Sequence, residues 1–508
     1  MLAFRLIRAP CAFLIEVITM GNITESYETS AKIFPNKIAI HTNRQQINYQ
    51  KWSELVNQTA NWLHSLDSEN KTIGILLPNG IPFLQLFAGA SKAGWIAVPY
   101  DLKWKTTELE KRVKLSNPSI IVTTREIYDR IKQIIPNVTS LDDSLREISR
   151  FEVNIIRYTQ ENLPFYIGFT SGTTGNPKAF IRSQDSWVAS FDCNRIDFEI
   201  NESEHVFIPG ALIHSHFLYG AISTLYLGGT VYLLDKFSPI EGHSWIQSYP
   251  ITTMYVVPTM IEAFLKQGVQ INKFIKILSS GAKWSESSKM EIYRIFPNIT
   301  MYEFYGASEL SFITVLSDRD GMQKAASVGK PCYGVEVQIR LQDQCLAKHK
   351  EIGKIYIRSR LVIDGYLDHA GKDVHSIRDE EGWATVHDIG YFDEDGYLYI
   401  IGREQNMILY GGINIFPEEI EKVISLHPDV EEVAVIGLPD SYWGQVVAAV
   451  VKGKGSPLEL KRLCKKYLSS YKIPRKWLFL SEMPYTTSGK IARAELIKQM
   501  ESKVTSDE

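Results

Sequence analysis

The chain has no apolar run long enough to cross a bilayer. Its one suggestive stretch, Cys11 to Ile15, follows Arg5 and Arg8 and is cut short by Glu16. That is too short for a span, and no small-x-small cleavage site follows to make it a signal peptide. Cysteines are few and scattered: Cys11, Cys193, Cys332, Cys345 and Cys464 form no CxxC pair. This argues against a zinc site or a disulfide framework and fits a reducing compartment. A basic field is missing too, since the formal net charge is −3 and no long block of like charge occurs, which argues against nucleic acid as a partner. Internal repeats and low-complexity segments are absent. What is present is ordinary for a soluble globular protein: 508 residues, 44% hydrophobic and 22% charged, enough for two or more domains with sizeable cores.

Apolar strand-like runs alternate with helical stretches early in the chain: Thr72–Leu77 then Phe83–Ala93, Ile120–Thr123 then Ile127–Ile135. Such alternation predicts α/β layers around parallel sheet. Between about Val328 and Ile401 the pattern becomes short alternating segments between Gly and Asp turns, such as Lys354–Arg358 and Tyr397–Ile401, which predicts antiparallel structure. The polar run Arg403-Glu404-Gln405-Asn406 then marks a boundary. Beyond it, Pro417 suits the first turn of a helix, Glu418 and Glu419 its positive end, and Ile420, Val423 and Ile424 its buried stripe. Strands over Glu432–Leu438 and Val446–Val451 and a helix near Leu458–Leu468 complete a small α+β domain.

The most informative stretch is Phe165-Tyr-Ile-Gly-Phe-Thr-Ser-Gly-Thr-Thr-Gly-Asn-Pro-Lys178. A buried strand through Phe165, Tyr166, Ile167 and Phe169 runs into four hydroxyls, Thr170, Ser171, Thr173 and Thr174, and two glycines, Gly172 and Gly175. Glycines let backbone N–H groups approach an anion, hydroxyls add donors without bulk, and Lys178 adds a mobile positive charge. This is a phosphate cradle, yet no Gly-Lys-Ser/Thr closes it as in a Walker A loop.

Residues 170–178 resemble the phosphate loop of the adenylate-forming enzymes: acyl-CoA and aryl-CoA synthetases, peptide-synthetase adenylation domains and luciferases. The resemblance runs from about Ile23 to Arg493. It implies a large N-terminal domain of layered α/β sheets plus a β-barrel-like part (residues 20–403), a hinge at 404–407 centred on Asn406, and a small mobile α+β domain (408–508). Residues 1–19 have no counterpart in the motifs. A mis-assigned start, with translation from Met20, is favoured over a targeting or membrane-touching helix.

Further motifs follow in the family's order. In Tyr305-Gly-Ala-Ser-Glu309 the resemblance puts Tyr305 on adenine, Gly306 beside the substrate, Ser308 at the phosphate and Glu309 on Mg²⁺, a hard cation that favours carboxylate and phosphate oxygens. Gly281 and Ala282, in Ser280-Gly-Ala-Lys283, match the loop beside adenine and acyl group. Asp388, in Trp383-Ala-Thr-Val-His-Asp388, matches the aspartate that accepts from the ribose hydroxyls, although Val386 and His387 depart from the usual Thr-Gly. Arg403 matches a contact to ribose or phosphate. Asn406 stands where Asp or Lys is usual. Gly411 and Gly412, with Asn414, resemble the CoA ligases more than the other branches, and imply a narrow passage for pantetheine. Lys490, in Thr487-Ser-Gly-Lys490, matches the lysine that stabilises charge as a carboxylate attacks the ATP α-phosphate. His214 and Phe217 fall beside the acyl tunnel.

These residues predict an AMP-forming acyl-CoA synthetase of the cytoplasm that uses ATP, Mg²⁺ and coenzyme A. Thr170, Lys178, Glu309 and Lys490 are the expected catalytic set, and ATP contacts are expected from residues 170–178, Gly281, Ala282, Tyr305, Gly306, Ser308, Asp388, Arg403 and Lys490. His214, Phe217, Gly281, Gly306, Gly411 and Gly412 are expected to line the acyl and thiol paths. The 210–220 segment has no Asp or Lys to pair with a charged acyl group, which favours a fatty acid of medium or long chain. An aryl-CoA ligase, and an enzyme loading a carrier-protein thiol, stay open as alternatives. A catalytically dead adenylate-binding protein would be expected to have lost Glu309 or Lys490. No stable membrane insertion is expected, and a homodimer is left open.

Overall fold

A computed structural model of the chain describes residues 21–154, 163–171, 177–281, 284, 286–368, 371–411, 413–485 and 491–504. Several expectations lie outside these residues: those on 1–19 and Met20, on Gly172, Thr173, Thr174 and Gly175, and on Ala282, Gly412 and Lys490.

Two large sheets form the N-terminal part. One is nine-stranded and the other eight-stranded. Each is parallel in its middle, as the alternation of apolar runs and helices requires. The strand Thr72–Leu76 is buried at every position and has a parallel neighbour on each side. Its continuous apolar sequence reflects burial on both faces. The helix Ile81–Lys92 follows, with Pro in its first turn, and Gly94 beyond its end has φ +70°. Further on, the helix Arg125–Ile131 is shorter than the sequence suggests. Pro136 restrains Ile135 from helical geometry, so the apolar spacing there belongs to a turn. The two sheets share one core, in which Trp52, Phe87 and Leu218 pack between Ile40 and Ile208 of one sheet and Ile73 and Phe165 of the other.

The antiparallel part expected after Val328 is a four-stranded sheet of Glu336–Arg340, Gly353–Arg358, Asp388–Phe392 and Leu398–Arg403. Burial alternates along Gly353–Arg358, the period of a strand with one face inward.

Residues from Ile408 onward build a five-stranded sheet and a core of their own, including Ile415, Ile420, Val435, Val450 and Leu496. The helix Pro417–Ile424 begins with Pro417 and buries Ile420 and Ile424. The helix Pro457–Tyr467 is opened by a capping box of Ser456 and Glu459. The architecture is thus a large N-terminal domain of layered sheets with a smaller α+β C-terminal domain. Among the described residues no helix is long and apolar enough to cross a membrane.

Candidate active site

Four parallel strands of the nine-stranded sheet end along one edge: His205–Ile208, Thr253–Val256, Ile275–Ser279 and Ile299–Ala307. Open α/β sheets bind ligands beyond such carboxyl ends. The last of these strands ends in Tyr305–Ala307, and the segments that follow the four carry His214 and Phe217, Val257, Gly281, and Ser308 and Glu309, so residues far apart in sequence converge.

The phosphate motif is a β-hairpin. Strands Pro164–Ser171 and Pro177–Ser183 pair antiparallel and place Thr170 opposite Lys178. Strand Gly365–Leu367 pairs with the second of them, setting Tyr366 opposite Phe180. The Lys178 ammonium then sits 5.4 Å from the Tyr366 ring centroid, a cation–π distance. The Tyr366 hydroxyl donates to Glu309 Oε1 at 2.5 Å, and burial beside that carboxylate pushes its pKa well up. Tyr366 therefore joins Lys178 and Glu309, yet no sequence motif singled it out.

A second cluster joins Tyr305, Asp388 and Arg403. Asp388 and Arg403 are opposite each other on adjacent strands, and Arg403 Nε donates to Asp388 Oδ1 at 2.8 Å. Tyr305 donates its hydroxyl to Asp388 Oδ2 at 2.5 Å. Burial, then the Asp388 charge, raises the Tyr305 pKa well above that of a free phenol. A carboxylate has about four lone-pair sites, so Asp388 keeps acceptor capacity for a diol after both bonds.

His387, at the place where the resemblance expects glycine, has φ +64°. A side chain in the left-handed region costs roughly 1–2 kcal/mol. The ring makes its own contact, Nδ1 to Glu404 Oε2 at 3.1 Å, and Lys354 reaches the same oxygen at 2.9 Å. Asn406 donates to Glu418 Oε1 at 3.3 Å, bringing the expected hinge against the first turn of the small domain's first helix.

Two glycines owe their identity to protein neighbours. A Cβ on Gly306 would lie 2.2 Å from the Ser311 carbonyl oxygen, where the strand register shifts. A Cβ on Gly411, whose φ is +54°, would lie 2.8 Å from the Trp443 indole. That indole stacks on Tyr410 at 4.5 Å, with the Arg475 guanidinium beside both rings. Gly281 also has positive φ, +97°, but a Cβ there would make only an ordinary contact, 3.8 Å to Val257 Cγ1.

In the segment expected beside the acyl group, His214 caps the N-terminus of helix Ser215–Leu227 without a side-chain capping bond. Burial lowers its pKa, and nearby Asp101 partly opposes the shift. His216 lies deeper: its Nε2 is 3.0 Å from the Val256 carbonyl, and burial lowers its pKa to about 4. Its ring is flanked by Phe217, Tyr255 and Phe304 at centroid distances of 5.0, 5.3 and 5.6 Å. Phe217 is buried against Gly210, where a Cβ would strike its ring.

The residues present fit a nucleotide-borne magnesium ion. The Glu309 carboxylate accepts from Tyr366 and feels the Arg182 and Arg403 charges with no direct ion pair to a described residue, so oxygen lone pairs remain for a cation. No group of three or more His, Cys, Asp or Glu that could hold a metal occurs among the described residues. One carboxylate plus phosphate oxygens and water is the usual sharing for Mg²⁺.

Comparison with known proteins agrees with this geometry. Residues 27–367 match the model of the AMP-binding enzyme family, and residues 419–490 match that of the AMP-binding enzyme C-terminal domain. An uncharacterised acyl-CoA ligase of Bacillus subtilis, YhfT, is 45% identical over 482 residues, 95% of this chain and 99% of that protein. A putative long chain fatty acid-CoA ligase of Staphylococcus epidermidis, VraA, is 29% identical over 94% of this chain and 98% of that protein. Among solved structures, o-succinylbenzoate CoA synthetase (MenE) of Bacillus subtilis with its acyl-adenylate intermediate superposes with a TM-score of 0.84 at 27% identity, covering 92% of this chain and 97% of that one. The same synthetase has also been solved with ATP and magnesium ion. The chain belongs to the AMP-binding enzymes, within the group of AMP-forming acyl-CoA ligases.

Proposed function

We propose that this ligase activates a fatty acid of medium or long chain in two steps. The carboxylate attacks the ATP α-phosphate, giving acyl-AMP and pyrophosphate; the CoA thiol then attacks the acyl carbonyl, giving thioester and AMP. The observation that carries this reading is the convergence of the 164–183 hairpin, Glu309 and the Tyr305–Asp388–Arg403 cluster around one sheet edge. Asp388 takes the ribose hydroxyls, Tyr305 offers its face to adenine, and Thr170 and Lys178 hold phosphate oxygens. Magnesium, held by Glu309, would neutralise phosphate charge and polarise the reacting phosphorus. Lys490 adds charge stabilisation in the first step only. Gly411 and Gly412 face the pantetheine arm in the second.

An uncharged acyl group is supported by the neutral His216 and the aromatic rings around it. The likeness to VraA supports a fatty acid. The same rings, and the likeness to o-succinylbenzoate CoA synthetase, favour a second reading, an aryl acid.

Pyrophosphate release should be measured with a panel from acetate to palmitate plus benzoates, each with and without CoA. Selection of C8 to C16 acids with CoA-dependent turnover supports the proposal. Selection of benzoates favours the second reading, and release of acyl-AMP with no response to CoA would indicate a carrier-protein acceptor.

A further inference from the structure

Arg182 lies at the end of the second hairpin strand, four residues beyond Lys178, and no motif includes it. Its side chain is buried, and its hydrogen bonds go to uncharged oxygens: Nη1 to the Leu361 carbonyl at 2.7 Å and Ser186 Oγ at 3.3 Å, and Nη2 to the Ser308 carbonyl at 2.9 Å. Burial lowers its pKa to about 10, with Tyr166, Asp364 and Glu309 opposing the shift. A buried guanidinium with no direct ion pair to a described residue is costly to keep, so its fixed fork must serve something a neutral side chain could not.

The two carbonyls it holds locate that service. Ser308 precedes Glu309, and the Glu309 carbonyl accepts from the Ile363 N–H at 2.9 Å. The Leu361–Ile363 segment is itself clamped, with Arg378 donating to the Val362 and Ile363 carbonyls at 2.7 and 2.8 Å. Three residues on, Tyr366 grips the Glu309 carboxylate. The chain on both sides of Glu309 is thus tied to the hairpin that bears Thr170 and Lys178.

We propose that Arg182 is a positioning residue that sets the Glu309 carboxylate against the phosphate hairpin, so that ATP is held productively with its magnesium ion. The inference rests on the reading of Glu309 as the magnesium residue. Lysine at 182 keeps the charge but cannot bridge two carbonyls at fixed angles, and glutamine keeps one arm without charge.

The experiment measures ATP affinity by titration calorimetry in Mg²⁺ and in EDTA, with the melting temperature of the unliganded protein, for wild type, Arg182→Lys, Arg182→Gln, Tyr366→Phe and Glu309→Ala. Loss of one charge-assisted bond corresponds to about a tenfold change. Arg182→Lys should weaken Mg²⁺·ATP by about tenfold and leave ATP in EDTA within about twofold. Tyr366→Phe should shift in the same direction. Equal weakening with and without Mg²⁺, no weakening, or unfolding of both Arg182 variants would overturn the proposal, because Arg182 would then be a residue of the fold alone. Failure of the Glu309 reading shows separately: Glu309→Ala would keep the wild-type gain in affinity on adding Mg²⁺.

Discussion

At the scale of single residues, the candidate nucleotide site is organised by bonds between its own members. Tyr305 was expected to supply a ring, but its hydroxyl also fixes Asp388, whose other oxygen is fixed by Arg403. Tyr305→Phe keeps the ring and removes one of the two bonds that hold the carboxylate. Hydrogen bonds to charged groups contribute about 1.5–3 kcal/mol, so KM for ATP should rise roughly tenfold or more in pyrophosphate exchange. An unchanged KM would leave the ring as the whole contribution of Tyr305. His216 gives a second expectation. Its folded pKa, about 4, lies below the ordinary 6.5. The unfolded chain then binds the extra proton first as pH falls, so stability is lost from about pH 6.5 down towards 4. Urea midpoints across that range should slope less for His216→Phe than for the parent protein. Parallel slopes would show that other groups carry the acid sensitivity.

At the scale of elements, the sequence was readable where a local pattern carries the information. The Phe165 strand, the helix opening at Pro417, and the strands around Ala434 and Val450 follow from apolar period and proline position. Arg182 and Tyr366 were not readable, because their partners lie 126 and 57 residues away. Nor was the reason for two of the glycines: Gly306 is crowded by Ser311, and Gly411 by Trp443, neither of which a motif shows. At 411 the neighbour that a side chain would meet is the Trp443 indole. Gly411→Ala should destabilise the small domain by about 1–2 kcal/mol from its left-handed backbone, plus a packing term against Trp443. In a Trp443→Ala background the packing term should vanish. A double-mutant cycle in urea measures it directly, and strict additivity would mean that the indole yields freely.

At the scale of the whole molecule, the two parts have separate cores and meet near the polar run after Arg403, where Asn406 touches Glu418. The ATP-binding candidates other than Lys490 belong to the large part. Gly411 belongs to the small one, and Lys490 is in the small part's sequence, in the segment between Tyr485 and Ile491, which pair with each other. This distribution suits a division of labour in which the small domain presents Lys490 for the first step and the glycine face for the second, as a hinge allows. If so, Lys490→Ala should lose acyl-AMP formation by ~10²–10³-fold, the scale of removing one charge-stabilising donor. It should still convert supplied acyl-AMP and CoA to thioester at close to the parent rate. Pyrophosphate exchange reads the first step and thioester formation from synthetic acyl-AMP the second. Equal loss in both would mean that Lys490 supports the small domain as a whole, and the division of labour would have to be abandoned.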